Sequence, residues 1–391
     1  MSERKPDIIL EVDGQRYGGW KSIDISRGLE QCAGTFRLSV TDRWPQQNEP
    51  RGIKAGAACR VTIDGRAVIT GYVDDVEVSW SATSHEYRVS GRDKTADLVD
   101  CCPPSLQLKG ADLPALARRW ARLFGIEVMV EAECNKAVPG FKTEEGETCF
   151  EMLERLARAN AVMLTSDGDG RLVITRAGTH KAAAALQMGG NLLRLSLSSS
   201  MKDRFSEVTV KGQSAGSDTW DGPGNAQAKG TANDPNVPRY RPLTVIAEQE
   251  EFGSATTRAR HEVAVRYGKG HQARALVNGW YAGTELWQPN RLADILDSSG
   301  QAMATWLIVN VSWHMDDRGC LTELSLSPRE AYELLPEMPK GAKGKKGKEA
   351  SLWLQGSPGA SCAPCNGAWP PWLAVPCYWP SIPGQACKAC R

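Results

Sequence analysis

Residues 283–328 read GTELWQPNRLADILDSSGQAMATWLIVNVSWHMDDRGCLTELSLSP. Apolar residues recur in short alternating runs: Leu292 and Ile295, then Trp306, Ile308, Val309, Val311 and Trp313, then Leu321, Leu324 and Leu326. Ser298-Ser299-Gly300 and Asp316-Asp317-Arg318-Gly319 separate the runs. Alternation at period two, punctuated by Gly and Asp clusters, predicts antiparallel strands joined by tight turns.

The same texture fills residues 7–100. Ile8 to Val12 meet the turn Asp13-Gly14, and Gly18-Gly19-Trp20 leads into Ile23 and Ile25. Phe36, Leu38 and Val40 alternate next, and Val61 and Ile63 run into Asp64-Gly65. That dipeptide is a strong hairpin signal, because both central residues of a type I′ turn need φ > 0. Val68, Ile69, Tyr72, Val73, Val76, Val78 and Trp80 follow, and Tyr87 and Val89 return. Strands this short and evenly spaced predict a barrel or sandwich.

Between them the period changes. Asp112 caps a helix that accepts Pro114 in its first turn, with an apolar stripe of Leu113, Leu116, Trp120, Leu123 and Phe124 stopped by Gly125. Thr148 and Glu151 have capping-box spacing ahead of a second helix that buries Phe150, Leu153, Leu156 and Ala157. A hairpin follows, from Val162 to Thr165 and from Leu172 to Thr175 across Asp167-Gly168-Asp169-Gly170. Alternation resumes over 192–210 through Leu193, Leu195, Leu197, Val208 and Val210. A soft Gly, Ser, Asp, Asn and Pro segment spans 212–236, and a helix is predicted over about 256–267 with Ala259, Val263 and Tyr267 on one side, ended by Gly268 and Gly270. Residues 341–350, GAKGKKGKEA, are a lysine and glycine tether too polar to pack, and the Cys, Pro and Trp-rich end shows no period. The expected division is a β domain at 1–102, an α+β unit at 103–180, a second β domain at 181–337 and an unstructured linker and tail at 338–391.

At 391 residues the chain exceeds one ordinary core. Its 47 Lys and Arg nearly cancel its 46 Asp and Glu, so no global field draws nucleic acid or anionic lipid. The start, MSERKPDIILEVDG, lacks the apolar stretch of a signal peptide, and no run approaches the roughly 18 to 20 apolar residues of a membrane span. A soluble product made in the cytoplasm is expected. Seven scattered cysteines (Cys32, Cys59, Cys101, Cys102, Cys134, Cys149, Cys320) fit reduced, mostly buried thiols.

The candidate chemistry is thin. Gly212-Gln213-Ser214-Ala215-Gly216 matches a nucleophile elbow, but Ser217 to Gly224 carries no helix pattern to present Ser214. His85, His180, His261, His271 and His314 form no metal-binding pair. Asp74-Asp75 and Asp316-Asp317 are adjacent, and adjacent residues on a strand face opposite ways, so neither pair can flank one bond; turns or exposed strand ends suit them. Cys362, Cys365, Cys387 and Cys390 make two Cys-x-x-Cys pairs and are the metal candidates, for zinc. The span between them is rich in Pro and Trp and lacks a ribbon's alternation, which favours an unstructured appendage. Residues 340–348 read as a solvated tether. Tyr17, Trp20, Trp280 and Trp287 read as core in preference to subunit contacts.

The order of Arg239-Tyr240-Arg241-Pro242-Leu243, an Arg and Ala-rich helix, Gly279-Trp280, then Gly283, Trp287, Pro289 and Asn290, the strand WLIVNVSW and the return GCLTELSLSP before Ala331 and Tyr332 resembles baseplate hub proteins of Mu-type contractile-tailed phages. The family is similar to the hub portion of type VI secretion spike proteins. The resemblance implies an α+β, mainly β fold with two antiparallel β-barrel domains, a small α+β insert and an additional helical segment. It implies a homotrimer presenting six barrels, matching a six-fold tail tube to a three-fold central spike around a channel for DNA. Partners would be the tail tube or a tube-initiator protein, the trimeric spike and the tape measure protein, with no stable membrane association, no cofactor and no catalytic residue. The site would be the virion tail baseplate, assembled in the host cytoplasm. The alternatives are a hub with peptidoglycan hydrolase activity and a secretion-system spike hub. The cysteine-rich tail departs from the family pattern.

Overall fold

The computed structural model describes residues 6–41, 52–81, 85–135, 137–212, 229–247 and 255–336, which lie in one compact unit, Met1–Gly344. The first region holds β1 (Ile8–Val12), β2 (Gln15–Tyr17), β3 (Ser22–Gly28), β4 (Thr35–Thr41), β5 (Ala58–Ile63), β6 (Arg66–Trp80) and β7 (His85–Asp93). Both Asp-Gly turns behave as their chemistry demands. Asp13 and Gly14 have φ of 51° and 76° between β1 and β2, and Asp64 and Gly65 have 48° and 79° between β5 and β6. Three predicted rows of alternate residues face inward: Ile23 and Ile25, Phe36, Leu38 and Val40, and Val61 and Ile63 are all buried.

The middle region contains α1 (Ala96–Asp100), β8 (Gly110–Ala111), α2 (Leu113–Ala121), β9 (Val128–Val130), β10 (Val138–Pro139), α3 (Cys149–Asn160), β11 (Met163–Ser166) and β12 (Leu172–Thr175). The Asp112 carboxylate accepts from Ala115 N at 3.0 Å, ahead of Pro114 in the first turn. At α3, Thr148 Oγ1 accepts from Glu151 N (3.2 Å) while Glu151 Oε2 accepts from Thr148 N (2.8 Å). This reciprocal box satisfies two donors the helix itself leaves free, worth about 1 kcal/mol. Two expected contacts differ. α2 stops at Ala121 and tightens into a 3-10 turn, Arg122–Phe124, which turns Leu123 outward. In α3 the fully buried place belongs to Met152, with Phe150 half-buried. The predicted hairpin β11-β12 forms and gains β9 as a parallel third strand.

The last region runs β13 (Leu186–Gln187), β14 (Leu192–Ser199), β15 (Glu207–Gly212), β16 (Lys229–Asn233), β17 (Pro242–Ala247), α4 (Ala255–Gly270), β18 (His271–Asn278), β19 (Tyr281–Ala282), β20 (Glu285–Leu286), β21 (Leu292–Leu296), β22 (Ala302–Asp316) and β23 (Gly319–Ser327). The alternation over 192–210 is two strands in different sheets. β14 joins the main sheet, whereas β15 lies between β16 and β17 in a separate three-stranded sheet. The turn between them buries Arg204, whose guanidinium is held by Asp234 at 2.7 Å. α4 continues past the expected stop because Gly268 packs against Ala331; a Cβ there would sit 2.5 Å from the Ala331 Cβ.

Hydrogen bonding makes one thirteen-stranded main sheet in the order β14-β18-β23-β22-β3-β4-β7-β6-β5-β1-β2, with β21 and β13 branching from β22. The fold is α+β and mainly β. Its first and last regions meet strand to strand, with β22 antiparallel to β3 from Asn310↔Gly28 to Met315↔Ile23. One hydrophobic core runs beneath both, from Ile8 and Leu10 to Leu324 and Leu326. The named strands trace a path from β14 to β2, and the branch from β22 through β21 and β13 meets β14 again at an isolated bridge, Met188↔Leu192.

Candidate assembly surface

Rigid joints come first. Asp93, at the end of β7, is fully buried and accepts from Gly34 N (2.6 Å), Thr95 N (2.9 Å), Thr95 Oγ1 (2.5 Å) and Ser166 Oγ (2.5 Å). Burial pushes its carboxyl above the ordinary range while these donors pull the other way. Arg27 donates to Ser166 O at 2.9 Å, and Thr165 Oγ1 to Gly28 O at 3.0 Å. These bonds seat the α+β region on the first β region. At the β22-β3 joint, Ser26 and Ser312 share a hydroxyl contact of 3.1 Å, and Gly28 leaves room for Asn310, whose Oδ1 would lie 2.6 Å from a Cβ. The joint is therefore polar on one side and packed on the other.

The structure scatters the residues that suggested chemistry. Asp74 and Asp75 sit within β6 at a bulge between Val73 and Asp75, away from any turn, because β6 continues to Trp80. Asp74 binds Arg92 at 2.8 Å. Asp316 ends β22, and its carboxyl is held below the usual range by Arg318 at 2.7 Å. His261 meets Glu333 O, His271 bonds Tyr267 O at 2.8 Å, and His314 lies 3.6 Å from Asp24; His180 is exposed. The side chain of His85, Ser214, residues 340–348, Cys362, Cys365, Cys387 and Cys390 lie outside the described residues. Among the described residues, no cluster of three or more His, Cys, Asp or Glu could hold a metal. The seven body cysteines are free thiols; Cys32 and Cys59 are buried, which pushes each up to about 12. A cleft of about 700 Å³ between the α+β region and residues 288–291 is lined by Arg27, Glu131, Asp167, Arg176 and Arg291. Of its charged groups, Asp167 binds Arg171 at 2.6 Å, while Arg27 and Arg176 each donate to a backbone carbonyl, of Ser166 and Glu133, at 2.9 Å.

The tryptophans read as core are core. Trp20, Trp280 and Trp287 are buried, and Trp280 Nε1 donates to both His314 O and Leu321 O at 3.0 Å, tying β22 to β23. Tyr17 is half-buried. What sequence reading missed is exposed apolar surface on strands: Leu193 and Leu197 on β14 are 55% and 58% exposed, and Val78 and Trp80 on β6 are 42% and 69% exposed. The only hint in the sequence is the serine run at Ser196, Ser198, Ser199 and Ser200, which marks a strand with no second layer over its polar face. Exposed apolar rows of this kind are surface that another chain can cover.

Four family models match in succession. They are the amino-terminal domain of Mu phage baseplate assembly protein GpP-like proteins over residues 7–93, the second domain of baseplate hub protein gp44-like proteins over 95–176, the third domain of tail protein NMB1110-like proteins over 204–262, and the fourth domain of Mu phage baseplate assembly protein GpP over 252–335. The chain is 36% identical to the baseplate hub protein gp44 of Escherichia phage Mu over 339 residues, covering 83% of this chain and 88% of that one. Its fold is similar to the 43 kDa tail protein of prophage MuSo2 from Shewanella oneidensis, with a TM-score of 0.74 and 35% identity, covering 84% of this chain and all of that one. It shares its fold, at a TM-score of 0.53 and 12% identity, with an Escherichia coli type VI secretion component, covering 84% and 79% of the two chains; that protein is described as similar to the T4 tail proteins gp27 and gp5.

A strand-built body with rigid joints and exposed apolar strand surface is the equipment of a tail structural protein. The chain belongs to the Mu gp44 family of phage baseplate hub proteins. Such a protein is a component of the virion tail. Among the described residues no helix is long and apolar enough to cross a membrane.

Proposed function

We propose that the chain is a homotrimeric hub that adapts the six-fold tail tube to the three-fold central spike and leaves a channel for DNA. The observation that carries this is the β22-β3 pairing, which fuses the first and last β regions of each copy into one strand-bonded body. Each copy then offers two related β surfaces held at a fixed angle, and three copies offer six. In this reading each half of the main sheet curls toward a barrel. The working division is 1–102, 103–180, 181–337 and 338–391, the last a tether and tail. Closed rotational symmetry is the ordinary way to build such a ring.

The partners in this reading are other copies, the tube or tube-initiator protein, the trimeric spike and the tape measure protein, with DNA only in passage. Assembly takes place in the host cytoplasm, and the protein acts by binding geometry with no reaction centre. Family membership as a baseplate hub supports this over a hydrolase. Mixing the purified chain with the spike protein of the same phage and measuring the complex mass tests it. Three hubs on one trimeric spike is the expected product. A spike that binds one hub, or none, contradicts the adapter role.

A further inference from the structure

We propose that Cys101 and Cys149 join as a disulfide once the virion meets an oxidising medium, stapling the end of α1 to the first turn of α3. The inference rests on family membership as a virion component and does not need the trimer. Cys101 caps α1 in extended conformation, with ψ of 143°, and Cys149 opens α3 directly after the Thr148 cap. Between them two stretches run antiparallel, tied by Gly140 N to Lys109 O (2.9 Å), Leu108 N to Phe141 O (2.8 Å) and Thr143 N to Leu106 O (3.0 Å). The last rung is Cys149 N donating to Cys101 O at 2.8 Å. A hydrogen-bonded antiparallel pair holds its Cα atoms about 5.5 Å apart, inside the roughly 4.4–6.8 Å that a disulfide spans. The backbone therefore already places the two residues for a bond.

Both are free thiols in the structure, and Cys149 lies near enough to Cys101 and Cys102 to feel the charge of each. Among the described residues they form no metal site. Cys102 is exposed, with its Sγ 3.7 Å from Gly146 O. Adjacent residues of an extended chain point to opposite sides, so Cys101 and Cys102 cannot both face Cys149. Cys101 is partly exposed and Cys149 is buried, which sets the order of attack. The oxidant is a low-molecular-weight disulfide. Cys101 loses its proton and attacks one sulfur of that disulfide, whose S–S bond breaks to release a thiolate. Cys149 then loses its proton and attacks the Cys101 sulfur of the mixed disulfide, releasing the second thiolate. The protein has lost two electrons and two protons, and the small disulfide has become two thiols. Burial pushes the Cys149 thiol up to about 11 and raises that of Cys101 as well. Such thiols react slowly and, once bridged, are poor leaving groups, so the bond forms late and resists reduction. The ring it closes, residues 101–149, encloses α2, and Leu98 of α1 already shares a core with Met152 and Leu153 of α3. Closing a ring of that length restricts the unfolded chain. Thiols stay reduced inside a producing cell, so assembly precedes the staple.

The test incubates full-length protein, purified with reductant, in a mixture of glutathione disulfide and glutathione, then quenches with acid, alkylates and maps tryptic peptides by mass spectrometry. Peptide 95–109 joined to peptide 143–155 is the expected product. It should be absent in Cys101→Ala and Cys149→Ala and retained in Cys102→Ala. The thermal midpoint of each protein is compared with itself, oxidised against reduced, so the cost of a substitution cancels. Oxidation is expected to raise the midpoint of wild type and Cys102→Ala by about 5 °C or more and to leave the other two unchanged. A bridge inside peptide 95–109, a joined product that persists in Cys101→Ala, or no bridge at all would overturn the inference. A midpoint shift that survives Cys149→Ala would overturn it too, and each of these results leaves the hub reading standing.

Discussion

Asp234→Ala is expected to lower stability by about 3–5 kcal/mol, the usual loss when one partner of a buried ion pair is removed. Arg204 is 2% exposed, and its Nε and Nη2 donate to one Asp234 oxygen at 3.0 and 2.7 Å. The other oxygen accepts from Asn236 N at 3.0 Å. The guanidinium also lies 4.9 Å over the Tyr267 ring, so β15, β16 and α4 are gathered around one cation. Without the carboxylate that cation stays buried with only an aromatic face for company. Replacing both partners by apolar residues of similar size removes the stranded charge, so Arg204→Met with Asp234→Leu should recover more than half of the loss. Urea denaturation with amide exchange over residues 204–247 reads both. A loss under about 1 kcal/mol would show that the pair is not holding this region together.

Asp93→Ala is the second large effect, again about 3–5 kcal/mol. It strips the acceptor from Gly34 N, Thr95 N, Thr95 Oγ1 and Ser166 Oγ at a buried site, and it removes one of the carboxylates whose charge favours the buried Arg27 cation. Because Ser166 belongs to β11 and Gly34 precedes β4, the damage falls on the seat between the α+β region and the first β region. The expected sign is an unfolding midpoint lowered together with early proteolysis between 93 and 110. A midpoint unchanged within error would contradict the account of this joint.

Much of the fold was legible because local chemistry dictates it. Asp13-Gly14 and Asp64-Gly65 can hardly do anything but turn, Asp112 and Thr148 announce their helices, and the rows through Ile23, Phe36 and Val61 face the core as alternation demands. Non-local pairing was not legible. Nothing in the run from Ala302 to Asp316 says that its neighbour is a strand nearly three hundred residues earlier, since periodicity fixes a face and leaves the partner open. The same gap ran 192–210 together: Leu197 and Val208 both alternate, but the turn that buries Arg204 lies between them and the two strands join different sheets. Leu193, Leu197, Val78 and Trp80 illustrate the limit for the candidate surface. A leucine meant for another copy has the same spacing as one meant for its own core. The described His and Asp residues that the sequence singled out lie apart, each tied to its own local partner or exposed.

The mass of the purified full-length chain in solution, measured by light scattering from high to low micromolar concentration, tests the central claim most directly. Self-association into a closed ring predicts three chain masses, holding steady until dilution releases single chains. A single chain mass throughout, unchanged when the trimeric spike is added, would contradict it.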